Sequence, residues 1–163
     1  MAINYKAEEL FDQADKDIRD GYLADAAKKL ESIIADDPNF GKAYNHLGYL
    51  YETKFKDLVA AEKYYKMALE KSPEYPAIYA NYGILLSTLQ KYDDLNELLK
   101  KALEVPGVDR ANVYNEYGIM YENLGEYTRA ITNYKECAKM TFSKATMDKA
   151  LESVDRCNTK MKL

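Results

Sequence analysis

The chain has 163 residues, 47% hydrophobic and 31% charged, an ordinary globular composition that suits one domain or a short repeat array. Its net charge of −4, with no Lys/Arg cluster to override it, argues against nucleic acid and anionic membrane as main partners, because neither would be attracted. The two cysteines, Cys137 and Cys157, form no CxxC pair, and the opening MAINYKAEELFDQADK lacks the apolar core of a signal peptide, so a reducing, cytoplasmic setting is expected.

In chain order, four segments read as helix pairs. The first, about 7–40, is marked by Ala14, then Ala26, Leu30 and Ile33, with Gly21 at the turn and Pro38 at the close. The second, 41–75, repeats the marks as Gly48, Ala61, Tyr65 and Ala68, and ends at Pro73. Its step from Gly48 to Ala61 is one residue longer than its counterparts, so an insertion is expected in the TKFKD turn, Thr53–Asp57.

The third, 76–110, carries Gly83, Leu95, Leu99, Ala102 and Pro106 around a polar LQKYDD turn. It holds the longest uncharged run, Tyr75–Gln90, which is too short to span a bilayer and reads as a buried central helix; no membrane insertion is expected. The fourth, 111–142, has Gly118, Ala130, Tyr134 and Cys137, with Gly125 at the turn. A proline stops a helix because it lacks the N–H donor and clashes with the preceding turn.

The small residues Ala14, Gly48, Gly83 and Gly118 are separated by 34, 35 and 35 positions. A mid-helix Gly costs about 1 kcal/mol against Ala, so its recurrence at one register demands a packing reason. The expectation is that each pair of helices crosses closely there. At Gly118 the partner backbone would approach, and Tyr114, Tyr117 and Tyr121 would fill the surrounding space, each worth about 1.5–3 kcal/mol if buried. Residues 143–163 leave this pattern and form an amphipathic helix. Its apolar face is predicted as Met147, Ala150, Leu151, Val154, Asn158 and Met161, covering the end of the array.

No catalytic constellation is evident. DKDIRDG at Asp15–Gly21 has the look of a calcium loop but places Arg19 and Gly21 wrongly. His46, the only histidine, has no companions at metal-ligand spacing, so no metal site is expected. There is no nucleophile elbow, Walker loop or dinucleotide fingerprint. Cys137 reads as a core residue and Cys157 as a partly covered one. The chain is therefore read as a non-enzyme, with no cofactor.

The spacing Tyr44-Leu47-Gly48-Tyr51…Ala61…Tyr65…Ala68…Pro73, and its echo Tyr114-Tyr117-Gly118-Tyr121…Ala130…Tyr134, resembles the tetratricopeptide repeat, a helix–turn–helix unit of about 34 residues. The resemblance runs from about Ala7 to Met140. It implies an all-α, right-handed superhelical array of four hairpins with a C-terminal capping helix, forming one domain over 1–163. It also implies a concave groove lined by first helices and a non-catalytic role binding a protein or peptide partner. Positions carried over from the family give Asn45, Tyr49, Ala80, Ile84, Asn115 and Ile119 as candidate peptide-binding residues, with Glu122 among the wider lining.

In the row, Tyr49, Ile84 and Ile119 would be the apolar part, and Asn45 and Asn115 would read a peptide backbone, since an amide both donates and accepts. The carboxylate clamp for acidic chaperone tails is excluded, because neither possible frame supplies a Lys or Arg to pair the carboxylate. A neutral or basic segment is expected instead. Two alternatives stand beside this reading: a client-specific, secretion-type chaperone, and a subunit that assembles end to end. The oligomeric state stays open at this point.

Overall fold

A computed structural model describes residues 5–163. The contacts fall into two compact units, the first reaching Leu85 and the second running from Leu86 to Leu163, where the sequence reads as one domain. Each unit is described by itself.

Among the described residues there are nine α-helices and no strand. The first unit holds α1 (Tyr5–Asp20), α2 (Leu23–Asp36), α3 (Gly41–Leu50) and α4 (Leu58–Lys71). Helix α5 (Pro76–Thr88) begins in the first unit and ends in the second. The second unit continues with α6 (Tyr92–Ala102), α7 (Arg110–Asn123), α8 (Tyr127–Met140) and α9 (Lys144–Lys160). The pairs α1–α2, α3–α4 and α7–α8 pack as hairpins, α2 also meets α3, and α9 lies on α8.

Every helix pair turns through one left-handed residue: Gly21 (φ 88°), Lys56 (φ 60°), Gln90 (φ 56°) and Gly125 (φ 75°). The next backbone N–H reaches back over the helix end, as from Tyr22 to the Asp17 carbonyl at 2.8 Å and from Glu126 to the Tyr121 carbonyl at 2.8 Å. This is the glycine-type stop that satisfies orphan carbonyls at a helix C-terminus. Lys56 and Gln90 do the same job without glycine. The extra residue expected at Thr53–Asp57 is accommodated by a π-helical turn at Tyr51–Phe55, which absorbs one residue without ending the hairpin. Asp57, Asp109 and Ser143 cap the following helices by accepting backbone N–H bonds from Ala60, Ala111 and Thr146.

The reason for the mid-helix glycines differs from the expectation of backbone approaching backbone. A methyl at Gly118 would lie 2.5 Å from Cδ1 and Cε1 of Tyr134, and one at Gly48 would lie 2.6 Å from the same atoms of Tyr65. The glycine makes room for a tyrosine ring from the second helix. Both rings are buried, Tyr65 at 0% and Tyr134 at 1% exposure. Each phenol is then satisfied by a glutamate four residues after its glycine: Tyr65 Oη donates to Glu52 at 2.7 Å, and Tyr134 Oη donates to Glu122 at 2.8 Å. In the first hairpin Ala14 and Leu30 are both fully buried, a larger small residue accompanying a smaller partner.

The core of the first unit joins Ala26, Leu30 and Ile33 of α2 to Ala43, Leu47 and Leu50 of α3. Helix α9 repeats that i, i+4, i+7 stripe as Ala150, Val154 and Cys157, set against Ala130, Tyr134 and Cys137 of α8. This corrects the predicted face: Met147, Leu151, Asn158 and Met161 are exposed, and Cys157 is fully covered rather than partly. The stripe rotates because the small side chains of Ala150 and Cys157 fit close to α8. Aligned on that stripe, Asp155 stands in α9 where α3 has Gly48. Its carboxylate and the exposed Asn158 leave α9 no apolar seat for a second helix of the same kind.

Candidate functional site

The candidate residues of the first unit lie on α3 and α5. Asn45 and Tyr49 are four residues apart, as are Ala80 and Ile84, so each pair shares a helix face. Asn81 Nδ2 donates to Asn45 Oδ1 at 3.1 Å and joins the two helices. Asn45 is therefore not displayed as expected: it is 1% exposed, and its amide oxygen is already engaged by Asn81. Tyr49 and Ala80 are half-buried, and Ile84 is 51% exposed, a large apolar side chain facing water.

Beside them, α1 and α3 carry a charged pairing. Lys42 Nζ donates to Glu8 at 3.1 Å, and Asp15 meets both Arg19 and, at 3.5 Å, His46 Nε2. The His46 ring abuts Phe11 edge-on at 4.5 Å. Burial holds His46 below the usual histidine range, although Asp15 pulls the other way.

In the second unit the candidates divide. Asn115 is half-buried and hydrogen-bonds the Glu116 carboxyl. Burial pushes the Glu116 pKa up, and its Oε2 has no partner. Ile119 is half-buried, like Tyr49 and Ala80, and packs against the cluster of Ala130, Tyr134, Val154 and Cys157. The cap helix contributes two of those residues, Val154 and Cys157.

Glu122 also departs from the lining role. It is 8% exposed and accepts from Arg156 Nε and Nη2 at 2.7 Å, from Lys160 Nζ at 2.8 Å and from Tyr134 Oη. The Arg156 guanidinium, above all, holds its carboxyl down to about 2. One carboxylate thus ties α7, α8 and α9 together. The sequence did hold a signal for it: a Glu four residues after the glycine appears only in the two hairpins whose second helix offers a tyrosine, Glu52 with Tyr65 and Glu122 with Tyr134.

The second unit has a feature that sequence reading did not single out. An open cleft of about 500 Å³ lies between α6 and α8 with α7 as its floor. Asn96 and Lys100 line it from α6, Tyr117 and Tyr121 from α7, and Arg129, Thr132 and Asn133 from α8. The two tyrosine rings stack at 6.1 Å and 11°. Arg129 lies 3.9 Å over the Tyr121 ring and donates to its hydroxyl at 2.6 Å.

Among the described residues there is no group of three or more His, Cys, Asp and Glu that could hold a metal, and no helix is long and apolar enough to cross a membrane. Burial pushes both thiols, Cys137 and Cys157, above the usual cysteine range.

Antiparallel helix pairs, each closed on a small residue and succeeding one another at a fixed period, define a helical-hairpin repeat protein. Residues 8–76 match the model of the tetratricopeptide repeat family, and the fold is of the tetratricopeptide type. Solved structures agree on the fold. The crystal structure of MamA protein matches at 19% identity and a TM-score of 0.73, covering 98% of this chain and 90% of that one. Yeast Tom70 matches at 17% identity and a TM-score of 0.81, with 96% of this chain laid on 34% of the larger protein. PilW, described as a type IV pilus biogenesis factor, matches at 17% identity and a TM-score of 0.74, with 99% and 80% covered. No curated protein matches the sequence.

Proposed function

We propose that this chain is a non-catalytic protein-interaction module that holds a peptide segment of a partner on its first-helix face. The observation behind the reading is Ile84. It stands 51% exposed on α5, a turn after Ala80, while α3 presents Tyr49 on a helix hydrogen-bonded to α5 through Asn81 and Asn45. An exposed aliphatic beside a half-buried aromatic suits an apolar anchor from a partner. The pairing of Asn45 with Asn81 fixes the two helices and leaves side-chain fit, rather than backbone reading by Asn45, to give affinity. The net charge of −4 favours a neutral or basic segment. A cytoplasmic setting, with both cysteines as thiols, belongs to the same reading.

The test uses peptides selected on the full chain from a displayed random library. Ile84→Glu is expected to weaken the selected peptides by about 2 kcal/mol or more, the range of an interface hot spot. Circular dichroism and melting temperature should stay near wild type, because Ile84 faces water. A folded Ile84→Glu protein that binds the same peptides with unchanged affinity would overturn the reading.

A further inference from the structure

We propose that the cleft between α6 and α8 in the second unit docks an acidic peptide segment of a partner protein. Its residues are separate from Tyr49, Ala80 and Ile84, so the two sites stand or fall independently. The first argument is charge. In a chain of net charge −4, the charged residues lining this cleft, Lys100 and Arg129, are both cationic, and no carboxylate lines it. Their present partners are exposed neighbours three residues away: Glu97 on α6 for Lys100, and Glu126 at the N-cap of α8 for Arg129, each at 2.7 Å. Such pairs contribute little and exchange readily for a better-placed carboxylate.

The second argument is the floor. Stacked Tyr117 and Tyr121 give a flat aromatic surface, rigid because Arg129 is laid over Tyr121 and bonded to its hydroxyl. An aliphatic or aromatic side chain next to the acidic one would cover that floor. Asn133 donates its Nδ2 to the Arg129 carbonyl at 2.9 Å, which fixes its side chain, and Asn96 faces it from α6; these amides suit the polar backbone of a peptide. Tyr, Asn and Arg are the residue types enriched in binding surfaces. The volume, about 500 Å³, takes a few residues of an extended segment rather than a folded domain.

The probe is a blocked octapeptide alternating glutamate and leucine, titrated into the isotope-labelled full chain and followed by amide shifts in NMR. The proposal expects shifts at Asn96, Lys100, Arg129 and Asn133. It expects affinity to fall about tenfold in Lys100→Gln, and to fall when salt is raised. Lys100 is exposed, so that variant keeps its fold. Arg129→Gln is the second variant; if it disturbs the tyrosine stack and unfolds locally, Lys100→Gln decides alone. The same peptide with glutamine for glutamate should bind weakly or not at all. Equal shifts with the glutamine peptide, shifts confined to α3 and α5, or none at all would overturn the proposal. So would a nucleoside triphosphate that shifts these amides when the peptide does not, since the cleft would then be a nucleotide site.

Discussion

At Gly48 an added methyl would sit 2.6 Å from two carbons of the Tyr65 ring, well inside van der Waals contact. The ring cannot swing away cheaply, because it is fully buried and its hydroxyl is held by Glu52 at 2.7 Å. Gly48→Ala gains about 1 kcal/mol of helix propensity and incurs about 1–3 kcal/mol of overpacking. A net loss of stability is expected. With Tyr65→Leu in place, the same Gly48→Ala change should turn neutral or stabilising, reproducing the Ala14 and Leu30 combination of the first hairpin. Denaturant melts of the four chains measure this coupling. A Gly48→Ala protein more stable than wild type would show that the tyrosine does not need the glycine.

The element that depends most on one residue is α9. Its stripe of Ala150, Val154 and Cys157 is modest in area, and Glu122 adds the directional part of the contact through Arg156 and Lys160. The folded carboxyl titrates near 2 against an ordinary 4.5, so its contribution is complete above about pH 4.5 and is lost as the pH falls toward 2. Glu122→Gln removes the charge while keeping the shape. It should lower stability by about 1–3 kcal/mol at neutral pH, less than a wholly buried pair would lose because Arg156 is half exposed. That gap should close as the pH drops from 4.5 toward 2. Melts of both proteins across this range check the sign: a difference that stays constant from neutral pH to pH 3 would mean that Glu122 is not the charged tie.

For the molecule as a whole, α9 decides whether α8 is covered. Deleting residues 143–163 should retain the helix content of the first unit and uncover Ala130, Tyr134 and Cys137 of α8. The truncated chain is expected to associate in light scattering, since an apolar helix flank is left in water. Cys137, now 1% exposed, should also become reactive toward a thiol reagent. A truncated chain that stays monomeric with an unreactive Cys137 would show that something other than α9 covers this flank.

Much of the fold was legible because it is written in one dimension. Small residues at steps of 34 and 35, turns at Gly21 and Gly125, and prolines after the second helices are local signals, and the one-residue excess before Ala61 located the π-helical turn. What the sequence could not supply was direction around each helix. Asn45 and Ile84 occupy neighbouring positions in the repeat, yet one is sealed by Asn81 from another helix and the other faces water. Ile119 matches Ile84 by register, but it is half-buried against a cluster that includes Val154 and Cys157 of α9. The α6–α8 cleft brings Lys100 and Arg129, 29 positions apart, onto one tyrosine floor. Periodicity along the chain determines which residues form helices and where they stop; which side chains meet across helices is settled by close packing and by the pairing of buried polar groups, and those are properties of the tertiary structure alone.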